Sequence, residues 1–128
     1  MQIDSLDHLV LTVRTMEATT RFYVDALGMH KVVFEDGRKA LAFGEQKINL
    51  HLLGHEVLPN AAAATPGSAD LCFLTSTPMD EVEAHLSDAG VAIELGPVAG
   101  TGATGPILSV YVRDPDGNLV EISHPVRE

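Results

Sequence analysis

Glu121 lies in a short apolar segment, 118–125, whose alternating pattern predicts a β-strand. In such a strand Glu121 and Ser123 share one face, while Val120 and Ile122 share the other. An unpaired carboxylate in an apolar interior is very costly. Glu121 therefore lies either on a face that water reaches or in a cavity where a cation balances its charge.

Other polar side chains at the middle of predicted strands could share a cation with Glu121: His8, Asn49, His51 and Asp70. Imidazole nitrogens and carboxylate or amide oxygens are common ligands of divalent metals. A single histidine in a strand is more often a hydrogen-bonded core residue. The metal interpretation therefore depends on whether the fold brings these residues together.

The first half of the chain is predicted to fold as a strand, a helix and three more strands. The first strand covers 6–13 and places His8 opposite its apolar face. Thr15 is a suitable helix cap, and Gly28 is placed to end the helix in a left-handed conformation. Apolar positions Phe22, Ala26 and Leu27 predict its buried stripe. The remaining strands are predicted at 31–35, 39–43 and 47–53.

The second half repeats this order. A strand at 69–75 precedes a helix with Thr77 as cap, Pro78 at the first helical position and Gly90 at its end. The remaining strands are predicted at about 92–96, 107–112 and 119–123. The chain therefore contains the unit βαβββ twice.

The two halves can be aligned residue by residue. His8 and Asp70 lie 62 positions apart, as do the two predicted caps and the two glycines that end the helices. The offset between Asn49 and Glu121 is 72, because the second half carries a longer Gly/Pro segment at 96–106. Equivalent positions in a repeat fold to equivalent places, so the candidate ligands occupy related sites in the two halves.

These elements predict one α+β domain over 1–128, built of modules at about 1–55 and 66–125. Each module covers one sheet face with its helix and leaves the other bare. Two modules related by a pseudo-twofold axis can close their bare faces around a shared cavity. His8, Asn49, Asp70 and Glu121 would then lie near one another, with His51 on the face of Asn49.

Composition limits the classes of function. Net charge is −10, from 18 acidic and 8 basic residues, which opposes binding to nucleic acid or to anionic lipid. No apolar run approaches the length of a membrane helix, and the first basic residue is Arg14, so neither a membrane span nor a secretory signal is expected. A soluble cytoplasmic protein is the expectation. Cys72 is the single cysteine and cannot form an internal disulfide.

Three further features could contribute to a cavity. Cys72 shares the face of Asp70 and could touch a ligand, although a buried inert thiol is the simpler expectation. Tyr111 could hydrogen-bond a substrate or serve in packing. The segment GTGATG (100–105) matches the pattern GxGxxG, but a proline and a strand follow it instead of a helix. A mobile lid is therefore predicted there.

Three segments resemble the vicinal oxygen chelate superfamily: LDHLVLTV (6–13), FYVDALGM (22–29) and VYVRDPDGNLVEI (110–122). This superfamily includes glyoxalase I, extradiol dioxygenases and bleomycin-binding proteins. Within it the chain looks closest to glyoxalase-domain-containing-protein-5-like members, through FGEQKINLH (43–51) and PGSADLCFLT (66–75).

The resemblance implies a metal held by residues at the middle of strands. His8 and Glu121 match the histidine and glutamate usual in the family. Asp70 stands where many members have a second histidine, and Asn49 where glyoxalase I has a glutamate, so His51 could replace Asn49 as third ligand. His8, His51 and Glu121 would suit iron, manganese, nickel, cobalt or zinc, whereas Asp70 as a ligand would favour manganese.

The resemblance also implies a metal-dependent enzyme acting on a small oxygen-rich substrate. Glyoxalase-like lyase or isomerase chemistry, with Glu121 moving a proton, is favoured over extradiol-type dioxygenation. Asn49, Cys72 and Tyr111 are the candidate substrate-binding residues. The third alternative is a non-catalytic protein that binds a drug or metabolite, as the bleomycin-binding members do, but their sites lack metal ligands. A homodimer is expected, because sheet edges in this family commonly pair across a twofold axis.

Overall fold

A computed structural model describes residues 1–127 and divides the chain into two compact units, Met1–Gly67 and the residues from Ser68 onward. We call them module 1 and module 2. Each contains one four-stranded sheet. The organisation of both modules as a single domain over 1–128 stays a prediction.

Module 1 follows the predicted order of elements. Its elements are β1 (His8–Val13), α1 (Met16–Thr20), a π-helical continuation (Arg21–Ala26), β2 (His30–Phe34), β3 (Arg38–Phe43) and β4 (Gln46–Leu52). The strand order in the sheet is β1-β4-β3-β2, and β1 pairs with β4 in parallel. The first and last strands of the module therefore lie side by side.

The helix of module 1 begins and ends as predicted, but its buried stripe is partly wrong. Thr15 caps α1, since its hydroxyl oxygen accepts the Ala18 N–H at 3.2 Å, and Gly28 ends the helix with φ +77°. Tyr23 and Ala26 are buried, whereas Phe22 and Leu27 are only half-buried. The wider π-helical turn rotates the side chains relative to an α-helix, so Tyr23 faces the core.

Module 2 repeats the architecture of module 1. Its elements are β5 (Asp70–Leu74), α2 (Met79–Asp88), β6 (Leu95–Thr101), β7 (Pro106–Arg113) and β8 (Leu119–Pro125). The strand order is β5-β8-β7-β6, and β5 pairs with β8 in parallel. The predicted α+β class and the twofold repetition of βαβββ are confirmed.

The predicted cap of α2 is wrong. The helix starts at Met79 with Pro78 at the N-cap, and no side chain hydrogen-bonds to the cap position. The Thr77 N–H instead donates to the Thr75 hydroxyl oxygen at 3.1 Å. Proline therefore precedes the first helical residue, and Thr77 belongs to the turn before it.

The predicted lid at 100–105 is also wrong. Strand β6 extends to Thr101, with Gly100 paired to Ile107 and Thr101 to Pro106. The Gly102 N–H then donates to the Gly105 carbonyl at 2.8 Å and closes a tight hairpin turn. Residues 100–101 therefore belong to β6, and residues 102–105 form the turn that joins β6 to β7.

One face of each sheet carries the apolar core. The buried residues on these faces include Leu11, Val13, Leu41, Ile48 and Leu50 in module 1, and Val110, Val112, Val120 and Ile122 in module 2. Strand alternation places the candidate polar residues on the opposite faces. Among residues 1–127, no helix has the length and hydrophobicity needed to cross a membrane.

Gly96 is the position where β6 departs from regular pairing with β7. Its φ is +111°, and a Cβ there would lie 2.5 Å from the Ser109 carbonyl oxygen. We expect Gly96→Ala to lower the free energy of unfolding by roughly 2–4 kcal/mol, because strained backbone and overpacking add. Urea titration measures the loss.

Gly54→Ala is the matched control for Gly96→Ala. Gly54 also has a positive φ, +85°, but a Cβ there meets no atom of the described residues within 4 Å. Gly54→Ala should lower the free energy of unfolding by only about 1–2 kcal/mol. Equal losses in the two variants would show that the contact with Ser109 is unimportant.

Candidate functional site

The parallel strand pair at the edge of each module positions the candidate residues. In module 1, Asn49 is paired with Val10 and His51 with Thr12. In module 2, Glu121 is paired with Cys72. The offset of 62 relates Val10 to Cys72, and the offset of 72 relates Asn49 to Glu121, so the pair in module 1 corresponds to the pair in module 2. The sequence repeat therefore holds residue by residue in the sheets.

His51 and Asn49 form the most unusual feature of module 1. His51 is 6% exposed and Asn49 is 5% exposed. Both ring nitrogens of His51 and the side-chain oxygen of Asn49 are buried without a hydrogen-bond partner in the part of the chain described, 1–127. Each unpaired buried polar atom costs about 1–3 kcal/mol. This pair of side chains is therefore suited to holding a ligand.

His8 is exposed and oriented by its neighbour in the chain. Its Nδ1 lies 2.8 Å from the Asp7 carboxylate. A proton on Nδ1, donated to Asp7, leaves the lone pair on Nε2, which is the arrangement typical of a metal-binding histidine. Sequence reasoning missed Asp7, although an acidic residue directly beside a candidate ligand was a usable signal.

Glu121 is half-buried and surrounded by hydroxyl groups on β7 and β8. The Ser109 hydroxyl donates to Glu121 Oε2 at 2.6 Å, and the Ser123 hydroxyl lies 3.4 Å from the same oxygen. Tyr111 hydrogen-bonds the carboxylate as well; partial burial and then this bond raise the pKa of the Tyr111 phenol. Alternation indicated that Ser123 shares the face of Glu121, but Ser109 was not identified as a partner.

Cys72 is exposed, so the expectation of a buried thiol is wrong. It lies on β5, one of the two edge strands of the sheet of module 2. Its Sγ is 3.2 Å from the Ser123 hydroxyl. Partial burial, followed by the charges of Glu121 and Asp70, raises the pKa of the thiol against the opposing effect of Ser123. A raised pKa lowers the fraction of thiolate at neutral pH.

Asp70 is exposed at the start of β5. The loop before it is held by a different residue, because the Ala69 N–H donates to Asn118 Oδ1 at 2.9 Å. Asn118, and not Asp70, therefore holds the end of this loop. Asp70 remains a candidate metal ligand.

The candidate ligands have donor atoms that fit a divalent metal, but they can share one ion only if their side chains lie close together. Within residues 1–127, no three His, Cys, Asp or Glu side chains are grouped so that they could hold a metal. His8 and His51 lie on β1 and β4, whereas Asp70 and Glu121 lie on β5 and β8. The unpaired nitrogens of His51 are the structural observation that agrees best with a metal ligand.

Comparison with known proteins identifies close relatives. The chain is 57% identical over 126 residues to virulence protein STM3117 of Salmonella typhimurium, covering 98% of this chain and 88% of that protein. The crystal structure of STM3117 matches with a TM-score of 0.97 over 98% of this chain and 100% of that one. This similarity covers the fold of both modules.

Two further relatives carry more informative names. Glyoxalase domain-containing protein RDO1 of Mycosarcoma maydis is 52% identical over 123 residues, covering 96% of this chain and 69% of the relative. Biphenyl-2,3-diol 1,2-dioxygenase 3 of Rhodococcus globerulus is 34% identical over 119 residues, covering 91% of this chain and 61% of the relative. The finer likeness to glyoxalase-domain-containing-protein-5-like members stays a prediction.

The family assignment rests on nearly the whole chain. The model of the Glyoxalase/Bleomycin resistance protein/Dioxygenase superfamily matches residues 5–122, which include β1, both helices and most of β8. The resemblance seen in the sequence is confirmed by this match and by the relatives above 50% identity. The chain belongs to the Glyoxalase/Bleomycin resistance protein/Dioxygenase superfamily, the vicinal oxygen chelate proteins.

Proposed function

We propose that this protein is a divalent-metal-dependent enzyme that performs glyoxalase-like lyase or isomerase chemistry on a small oxygen-rich substrate. The observation that carries the proposal is the buried imidazole of His51, whose nitrogens lack partners within residues 1–127, beside the unpaired oxygen of Asn49. Buried polar groups in native proteins are nearly always satisfied. A ligand that pairs with these atoms explains why they are retained.

His8, His51 and Glu121 would hold the metal, and Asp70 or Asn49 is the alternative for a further position. This ligand set is proposed from the sequence repeat and the family resemblance, because no three such side chains are grouped within residues 1–127 of the structure. A homodimer is a separate part of the proposal. When bound, the metal would act as a Lewis acid towards two neighbouring substrate oxygens.

The protein side chains would handle orientation and proton transfer. Glu121 would carry a proton on a carboxylate oxygen between adjacent atoms of the substrate. Tyr111, whose hydroxyl proton is directed to Glu121, would contact the substrate through its phenol oxygen as an acceptor. The Asn49 amide would orient the substrate from module 1. The burial of Asn49 and His51 would keep water away from these groups.

His51→Ala tests the proposal. Wild-type protein purified without chelator and loaded separately with Mn²⁺, Fe²⁺, Co²⁺, Ni²⁺ or Zn²⁺ should bind about one ion per chain, because a mononuclear site is proposed. The variant should lose affinity at least about tenfold, since even residues that only support a ligand cost that much. Isothermal titration calorimetry measures both.

His55→Ala is the control for His51→Ala. His55 follows β4 and is exposed, so its removal should leave metal affinity unchanged. Absence of binding to the wild type, or equal affinity in wild type and His51→Ala, would refute the metal centre. A folded wild type without metal would favour a non-catalytic binding protein.

Extradiol-type dioxygenation is the second candidate function. It is favoured by the 34% identity to a biphenyl-2,3-diol dioxygenase and by a donor set of two histidines and one carboxylate. Oxygen consumption by the Fe²⁺-loaded protein with biphenyl-2,3-diol would support this candidate. Conversion of a 2-oxoaldehyde adduct without oxygen uptake would support the first.

A further inference from the structure

A series of hydrogen bonds in module 2 leads to Glu121 through two serines, which we call the serine pair (Ser109 and Ser123). Cys72 Sγ lies 3.2 Å from Ser123 Oγ, and Ser123 Oγ lies 2.7 Å from Ser109 Oγ. Ser109 Oγ in turn lies 2.6 Å from Glu121 Oε2. The series crosses from β5 through β8 to β7 and ends at the carboxylate.

The distances determine which atom donates in each bond. Ser109 has one hydroxyl proton, and a contact of 2.6 Å to a carboxylate oxygen has the length of a charge-assisted O–H···O⁻ bond. That proton is therefore donated to Glu121. Ser109 can then only accept from Ser123, whose hydroxyl also lies 3.4 Å from Glu121 Oε2. The protons of both serines therefore point towards Glu121.

The serine pair is shielded from water. Ser109 is 1% exposed and Ser123 is 0% exposed, among apolar residues of the same two strands. The fold itself does not demand a hydroxyl at the position of Ser123, because the equivalent register position of module 1 holds His51. Two buried hydroxyls whose protons both point to one carboxylate therefore serve that carboxylate.

We infer that Ser109 is a positioning residue for Glu121 and that Ser123 fixes the donor direction of Ser109. This inference rests on the proposed function, in which Glu121 is a metal ligand. Ser109 holds Oε2 and so restricts the carboxylate to one rotamer before the metal arrives. Without Ser109, the half-buried side chain samples other rotamers and binds metal more weakly.

The test compares Ser109→Ala, which removes the donor, with Ser109→Thr, which retains it. Co²⁺ is the probe, because its visible absorption spectrum reports the ligand arrangement in addition to affinity. Ser109→Ala should bind Co²⁺ about 10–100-fold more weakly and change the spectrum. Ser109→Thr should restore both. Ser87→Ala, an exposed serine of α2, is the control and should change neither.

A second measurement uses the metal-free protein. Carbon-13 relaxation of the Glu121 side chain should show a rigid group in the wild type and faster motion in Ser109→Ala. The inference would be overturned if Glu121 stayed rigid in Ser109→Ala. It would also be overturned if Ser109→Ala kept the wild-type affinity for Co²⁺ while Glu121→Gln lost the metal. If the wild type binds no Co²⁺, the proposed function fails, while relaxation still decides the role of Ser109.

Discussion

Glu121→Gln should lower metal affinity at least about tenfold while the metal-free fold survives, because it removes the negative charge and preserves the shape. Glu121 accepts hydrogen bonds from hydroxyl groups, and a hydroxyl can also turn to pair with the glutamine amide. The thermal midpoint measured in chelator should therefore change little. Elemental analysis of the purified variant and calorimetric titration check the metal loss.

The control for Glu121→Gln is Glu94→Gln. Glu94 is an exposed carboxylate paired with Arg113 at 3.1 Å, so its loss should leave metal affinity unaltered. His8→Ala should reproduce the metal loss of Glu121→Gln. The double variant should be little worse than either single one, because residues of one site are not additive. Full metal occupancy in both single variants would refute the site.

Asp114→Ala should lower the free energy of unfolding by roughly 2–5 kcal/mol, since it leaves buried N–H groups unpaired. Asp114 is 5% exposed and accepts the N–H groups of Asp116 and Asn118 through Oδ1, both at 2.9 Å. Its Oδ2 accepts Asn118 Nδ2 at 2.7 Å. Asn118 in turn holds the Ala69 N–H, so the loss extends from the β7–β8 turn to the start of β5.

Asp80→Ala is the matched control for Asp114→Ala. Asp80 accepts one local N–H, from Glu81, at 2.9 Å on an exposed helix turn. Its removal should cost at most about 1 kcal/mol. Urea unfolding measures both variants, and a similar small loss in each would show that the Asp114 hydrogen bonds do not stabilise the turn.

The repeat could be predicted because it leaves local signals in the sequence. Gly28 and Gly90 end the two helices with φ values of +77° and +74°, at the predicted spacing. Side-chain alternation located the faces of Glu121 and Asn49 correctly. It failed at Tyr23, because a π-helical turn changes the period that the prediction assumed. The lid prediction at 100–105 failed for a different reason, since glycines in a hairpin and in a flexible loop look alike in sequence.

The partners of the candidate ligands could not be predicted in the same way. A strand pattern gives the face of Glu121 but not its rotamer, so the bond from Ser109 had no signal of its own. The unpaired nitrogens of His51 depend on everything packed around β4, which no short segment encodes. The approach of His8, His51, Asp70 and Glu121 to one another stays a prediction for the same reason.

The parallel pairing of β1 with β4, and of β5 with β8, also sets an order of assembly during synthesis. The strand that carries His8 leaves the ribosome first but has no partner until the last strand of its module has been made. The antiparallel strands β2 to β4 close shorter loops and are expected to pair earlier. The edge strands β1 and β5 would then dock last and open first, with the earliest amide exchange in each sheet. A metal held through β1 would therefore secure the final step of folding of module 1.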